Sequence, residues 1–283
     1  MASAGRDNSL TIGHLAERTG VPPGTLRSWE SRYGFPRPNR LERGHRRYIE
    51  ADVTAVLEVL RHRDAGLALE AAVRRVTAEP PRSRSVHAEL RRRHSELTPQ
   101  LLSKTSLLAI SQAIEDACCA RAEEPLLFGG FQRDTYFAGS RARWVELART
   151  ARSAVIFADL AAPQPLRPGL PIEVALPHGA PLNREWIVVC DAPDLPACLA
   201  AVERPGQDRV PDSRRRFEAV WTVDPRAVRH ASRVAMALAE EYRPELIGAE
   251  LAVPDDEPPT ASADLRRASD LMNRMMGYLD ERH

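Results

Sequence analysis

The stretch from Pro22 to Tyr48, PPGTLRSWESRYGFPRPNRLERGHRRY, constrains this chain most. Thr19-Gly20-Val21-Pro22 is a tight break between two short helical patterns, Ile12–Thr19 and Pro23–Tyr33. Proline fits a first helical turn, where its missing N–H has no helical partner anyway. Two short helices joined in this way are the grammar of a helix-turn-helix, whose second helix enters a DNA major groove. Here the second helix carries Thr25, Arg27, Ser28, Trp29, Arg32 and Tyr33. Arg37, Arg40, Arg43, Arg46 and Arg47 follow, interleaved with Pro36, Pro38 and Gly44. That spacing is too broken for a helix and reads as a basic hairpin, or wing, lying on phosphates.

These residues resemble the N-terminal domain of MerR-type transcription regulators. The matching blocks are Ile12-Gly13-His14-Leu15-Ala16-Glu17-Arg18-Thr19-Gly20-Val21, Thr25-Leu26-Arg27-Ser28-Trp29-Glu30 and Gly44-His45-Arg46-Arg47-Tyr48. The Trp-Glu-x-Arg-Tyr version is similar to the branch that includes the light- and cobalamin-dependent carotenoid regulators. The resemblance implies a mainly α winged helix-turn-helix domain over residues 9–76. It implies DNA contacts from Thr25, Arg27, Ser28, Arg32 and Tyr33 on the second helix. From the wing it implies Arg40, Arg43, His45, Arg46, Arg47 and Tyr48, with the last three on the backbone. Trp29 fits either the core under the wing or the groove. Two departures, Pro22 and Ile49 where relatives often have capping hydroxyls, weaken caps without removing a contact.

Charge supports a division of labour. The net charge is only +1, yet residues 1–94 hold 18 Lys+Arg against 11 Asp+Glu, leaving 22 against 28 in the remainder. A basic N-terminal part beside an acidic C-terminal part suits a DNA-binding module joined to something else. At 283 residues the chain has room for two cores. No apolar run reaches the length of a membrane span, and MASAGRDNSL lacks the apolar segment of a signal peptide. Four unpatterned cysteines agree with a cytoplasmic setting. Lys104 is the only lysine, which is taken as genome composition.

In chain order, residues 1–10 read as a disordered tail, and Thr11 and Gly20 as the caps of the first helix. Leu15, Ala16, Val21 and Leu26 should form the small core that sets the two helices at an angle. Ala51–Arg63 and Leu69–Val76 read as two more helices that brace the first pair. Residues 77–100 read as a linker with a short basic helix from Val86. No uninterrupted heptad run or metal-ligand spacing follows, which argues against metal sensing by the family's usual route. No Asp/Glu-x-His-x-x-Gly occurs in the C-terminal half, which argues against cobalamin.

Residues 101–245 alternate helices with about five short apolar strands, a two- or three-layer α/β domain. The strands are Leu126–Phe128, Ala154–Ala158, Ile172–Leu176, Trp186–Cys190 and Phe217–Thr222; Ser106–Ala122, Arg141–Ala151, Leu195–Val202 and Pro225–Tyr242 read as helices. Ser106–Ala122 would turn Leu107, Leu108, Ile110, Ala113, Ile114 and Ala117 inward. This region resembles the sensory domain called DICT. The resemblance rests on Ser111–Asp116, Leu127–Gln132, Val155–Asp159, Glu185–Val189 and Phe217–Trp221.

A polar pocket for an unidentified small-molecule effector would draw on Glu115, Asp116, Gln132, Arg133, Asp159, Arg184 and Trp186. The bland alternative makes them caps, turn anchors and ion pairs. Gly129-Gly130 allows a turn or a close approach to a ligand. Cys118 and Cys119 are adjacent on a helix and cannot bridge each other, while Cys190 and Cys198 read as buried fillers. No phosphate loop, G-x-S-x-G or catalytic constellation is present, so no catalytic residue, metal ligand or cofactor is assigned.

Residues 246–263 read as an acidic, proline-bearing linker, and 264–282 as a terminal helix. Leu265, Ala268, Met272, Met275 and Leu279 recur at 3-4-3-4 spacing, a two-heptad seam. So short a helix needs a partner: its copy in a dimer, or the sensory domain, the latter being favoured. The whole reads as a MerR-type regulator, homodimeric on a promoter inverted repeat, with RNA polymerase as a further partner. The competing class is a DNA-bound interaction module whose second domain recruits a protein and binds no small molecule.

Overall fold

The computed structural model describes residues 10–40, 46–77, 83–207, 209–246, 253–254 and 256–280. The chain divides into two compact units at residues 80/81.

In the first unit, α1 (Ile12–Thr19) and α2 (Pro23–Tyr33) precede a two-stranded antiparallel hairpin, β1 (Asn39–Arg40) with β2 (Arg46–Arg47). Two further helices, α3 (Glu50–Asp64) and α4 (Leu69–Thr77), complete it. The Thr11 hydroxyl accepts from the His14 N–H at 3.3 Å, and Gly20 at φ 72° ends α1 in the left-handed conformation glycine adopts freely. Leu15, Val21, Leu26, Trp29, Val56 and Val73 share one small core. Leu10 and Tyr48 exchange backbone hydrogen bonds of 2.7 and 2.9 Å, fastening the start of the fold to the end of the hairpin. Where Ile49 leaves α3 without a hydroxyl cap, the Asp52 carboxylate accepts from the Ile49 N–H at 2.7 Å.

The second unit opens with α5 (Val86–Arg93), β3 (Gln100–Ser103) and α6 (Lys104–Arg121). Then come β4 (Leu126–Gly130), α7 (Asp134–Thr150), β5 (Ser153–Ala158) and β6 (Ile172–Ala175). It closes with β7 (Glu185–Asp191), β8 (Ala197–Glu203), β9 (Arg216–Thr222), α8 (Pro225–Tyr242) and α9 (Ala263–Asp280). The seven strands lie in the order β3-β9-β8-β7-β4-β5-β6. The pairs β4–β5 and β5–β6 are parallel and the others antiparallel.

Alternation along the strands builds two cores, one on each face. Phe128, Val155, Phe157, Ile187 and Val189 pack with α5 and α8. Leu127, Ile156, Val188, Leu199 and Phe217 pack with α6 and α7. The expected inward residues of α8, Val228, Ala231, Val234 and Leu238, are all buried.

Several sequence expectations change here. Leu195–Val202 is not a helix: its alanines form β8, paired on both sides with β7 and β9. Alanine favours helices, but between two strands it fills a crowded layer, so tertiary context overrides propensity. With β3, also unexpected, the strand count in this unit is seven rather than five. On α6, Leu108 and Ala113 face solvent while Ser111 and Glu115 are buried. The helix expected within the 77–100 linker contributes Val86 and Leu90 to the main core, so it belongs to the second unit. The expected disordered tail lies largely outside the described residues.

Gly129 has a steric reason. A Cβ built there would sit 2.6 Å from Cη2 of Trp144 on α7. The close approach is therefore to an indole ring of the same domain. Gly129→Ala should force that fully buried ring aside and destabilise the unit by about 1–3 kcal/mol. Urea unfolding that left the variant within experimental error of the wild type would disprove the contact.

Candidate nucleic-acid interface

The helix α2 has two unlike faces. Leu26 and Trp29 are buried and Tyr33 is half-buried, at positions three and four apart, which is the inward stripe of a helix. Thr25, Arg27, Ser28 and Arg32 lie on the exposed side. Trp29 thus belongs to the core rather than the groove. Arg27, Arg32 and the following Arg37 are exposed and meet no carboxylate among the described residues.

The wing is mixed. Arg46 is held by Glu30, with Nε 2.8 and 3.1 Å from its two carboxylate oxygens, and its guanidinium charge is partly answered before any DNA arrives. Arg47 is half-buried. Tyr48 is a correction: it is 1% exposed in the core, where burial raises its phenol above the ordinary value, and it presents no hydroxyl to a phosphate. Its place in a DNA-binding motif reflects packing under the wing. Arg43 and His45 lie outside the described residues, and of Arg40 only the backbone strand is described.

The seven residues named for a sensory pocket do not converge. Glu115 and Asp116 both clasp Arg143 of α7, with Asp116 at 2.5 Å. Burial raises the Glu115 carboxyl, and the Arg143 charge opposes that. Asp159 faces His178 at 3.0 Å, Trp186 donates to Ser111 Oγ at 2.8 Å, and Arg133 is exposed at the start of α7. Gln132 and Arg184 do meet around one group, Glu203. Arg215 reaches Glu203 with Nε at 2.8 Å and Gln132 Oε1 with Nη2 at 3.1 Å, and Arg184 donates to the Glu203 carbonyl at 2.9 Å. Arg215 also pairs with Asp212 at 3.0 Å, and Lys104 pairs with Asp212 as well. Sequence reading missed Arg215, Glu203 and Asp212. Their one signal, the lone lysine, was put down to composition. Every charge in this cluster has a partner, so it braces the β8–β9 end of the sheet rather than forming an open site.

Cys118 Sγ and Cys190 Sγ lie 2.9 Å apart, a pairing of α6 with β7 that 72 residues of separation conceal in the sequence. All four cysteines are free thiols. Cys198 is buried on a strand rather than a helix, which pushes its thiol up to about 12. Among the described residues no group of three His, Cys, Asp or Glu side chains is placed to hold a metal ion.

Comparison with known proteins fits this geometry. Residues 10–79 match the family described as MerR HTH family regulatory protein. Residues 84–204 match DICT, the sensory domain in diguanylate cyclases and two-component systems. The chain carries a MerR-type helix-turn-helix domain followed by a DICT domain. Residues 211–283 match a third family, described as the C-terminal domain of a two-partite extracellular sensor domain. Here that segment supplies β9, inserted between β8 and β3, together with α8 and α9. The DICT sheet therefore continues beyond its own match.

Relatives include the HTH-type transcriptional repressor CarA of Myxococcus xanthus, 42% identical over 30% of this chain and 30% of its own. The HTH-type transcriptional regulator MlrA of Escherichia coli is 40% identical over 20% of this chain and 24% of its own. The HTH-type transcriptional activator TipA of Streptomyces coelicolor is 31% identical over 48% and 54%. The chain thus spans between about a quarter and about half of the lengths of these relatives.

The DICT motif residue Glu185 has a defined job. It is buried at the start of β7, and its Oε2 accepts from the N–H groups of Val86 at 3.1 Å and His87 at 3.3 Å, closing the first turn of α5. Burial pushes its carboxyl up to about 7 from 4.5, against hydrogen bonds that favour the ionised form. The fold therefore keeps a proton that the unfolded chain has released. The resulting stability is full below about pH 4.5 and lost as pH rises through about 7. Glu185→Gln should abolish this dependence, gaining on the wild type by roughly 1.4 kcal/mol per pH unit across the window. Urea unfolding of both proteins at several pH values measures it; parallel pH profiles would refute the assignment.

Proposed function

We infer that the chain is a sequence-specific DNA-binding transcription regulator. It acts as a homodimer on a promoter inverted repeat, and its DICT domain adjusts promoter binding in response to a signal. The observation that carries the reading is the free face of α2, where Arg27 and Arg32 stand exposed without a carboxylate partner among the described residues. Most arginines of the second unit's interior are spent on acidic groups or carbonyls, as Arg215, Arg229 and Arg243 are. Unpaired guanidinium groups on a helix that follows a tight turn suit phosphate and base-edge contacts. Thr25 and Ser28 on the same side are short enough to let the helix approach the groove.

The relatives' printed names, a repressor, a regulator and an activator, support the class without giving the sign of control. This reading assigns no reaction to the chain and places it in the cytoplasm with its DNA. No described helix is long and apolar enough to cross a membrane. The wing contributes through Arg47 and, once Glu30 releases it, Arg46.

Fluorescence anisotropy on duplex DNA across a salt series tests the reading. Arg32→Ala and Arg27→Ala should each weaken binding and lower the salt slope by about one. Glu30→Gln should tighten binding, because Arg46 then meets phosphate without a competing carboxylate. If neither arginine variant changes affinity or slope, α2 is not the DNA-reading helix.

A further inference from the structure

The terminal helix α9 settles on the second unit through one side only. Asp280 accepts from the Ser103 N–H at 3.0 Å and the Ser103 hydroxyl at 2.6 Å, and it meets Ser106 and Arg216, the latter at 2.7 Å. One turn earlier Gly277 lies so close to β3 that a Cβ there would sit 2.7 Å from Gln100 Oε1. Asn273 is buried a further turn back. A cavity of about 60 Å³ opens beside it, lined by Trp221, Leu265, Ser269 and Asn273 among others. That is room for a few water molecules.

Placed on a heptad with Leu265, Met272 and Leu279 at a and Ala268 and Met275 at d, Asn273 and Asp280 fall at b and Gly277 at f. Those positions lie opposite the a/d seam. Docking therefore leaves the seam outward. Leu265 borders the cavity and is 39% exposed, while Leu271, Met272, Met275, Tyr278 and Leu279 are between 52% and 64% exposed. The polar side docks, and the apolar side has no cover among the described residues.

We propose that this face pairs with the same face of a second copy of the chain, making α9 the dimer seam. The proposal rests on the homodimeric regulator reading above and names the segment that joins the two copies. Three features select a second copy. The 3-4-3-4 repeat is the pattern by which a helix packs against its own kind. The six side chains offer on the order of 500 Å² of apolar surface, near the upper limit of about 600 Å² for monomers and a large share of the about 800 Å² per partner in stable complexes. Flanking the seam, Asp264, Leu271 and Tyr278 at g and Ser269 and Met276 at e include a single charge, so self-pairing opposes no like charges along it. A two-fold pair also uses one patch twice, as an isologous interface requires.

Sedimentation velocity on the full-length protein tests this. The wild type should sediment as a dimer at low micromolar concentration. Met272→Glu with Met275→Glu should sediment as a monomer, its dissociation constant raised more than about a hundredfold. Both side chains are exposed, so circular dichroism and melting should match the wild type. A monomeric wild type, or a variant as dimeric as the wild type, would overturn the proposal. Disulfide trapping gives a second readout: in a Cys119→Ser background, Met272→Cys should cross-link two copies and Arg267→Cys, on the side away from the seam, should not. The reverse pattern would also overturn it. DNA binding is read separately. Monomers that keep single half-site affinity but lose the gain from two half-sites support both readings. A dimer through α9 that binds no DNA sinks only the regulator reading, and a DNA-binding protein that dimerises elsewhere sinks only this one.

Discussion

The second unit is organised around the absence of one side chain. The strand β4 is where the sheet changes character, with β7 antiparallel on one side and β5 parallel on the other. A strand in that position is buried on both faces, and each residue must present something that its neighbouring layer can accept. At Gly129 the layer presents the edge of Trp144, so close that even a methyl group would collide. The indole in turn meets Phe131 edge-on, at 5.8 Å between ring centres. Gly130 is similarly crowded by Ile187. Gly129 therefore lets Trp144 of α7 come close to the sheet, while Gly130 makes room for Ile187 on the strand beside it.

This explains what could be read from the sequence and what could not. The inward stripe of α8, Val228 through Leu238, was legible because periodicity reports burial directly, whereas on α2 only Leu26 was: Trp29 fitted core or groove, and Tyr33 was read as a DNA contact. The strand β8 was not, because ACLAAVE is alanine-rich and its identity depends on two partners far away in sequence. Tyr48 shows another limit. A motif tells that a residue matters, not whether it touches DNA or holds up the residue that does. The residues named for a pocket show a related limit. Polar residues are informative only once their partners are known, and Glu115, Gln132 and Asp159 each already have one.

Partner accounting separates structural from functional charge in a chain whose cations are almost all arginine. Buried guanidinium groups carry a large desolvation cost and persist only where acids or carbonyls surround them. Arg229 meets Asp191 at 2.7 Å and the Pro254 carbonyl at 3.2 Å, and Arg243 meets the carbonyls of Glu173 and Gln164. Such groups fasten loops to the sheet and have little left to offer a ligand. On α2 the situation is inverted: Arg27 and Arg32 remain hydrated and unanswered, a state with little cost on a surface and with value only when an anion arrives.

The same logic distinguishes the two sides of α9. Its docked side is directional, since the Asp280 carboxylate must meet the Ser103 N–H, two hydroxyls and a guanidinium in fixed geometry. The glycine at 277 lets the helix lie against the Gln100 side chain. The outward side is non-directional methionine and leucine, which pack with any complementary apolar surface. A helix held only by its apolar stripe could rotate or slide; one held by hydrogen bonds on its back presents that stripe at a set angle. Burying a carboxylate at the docked side thus has a purpose that burying another leucine would not serve, because it fixes which face the helix turns outward.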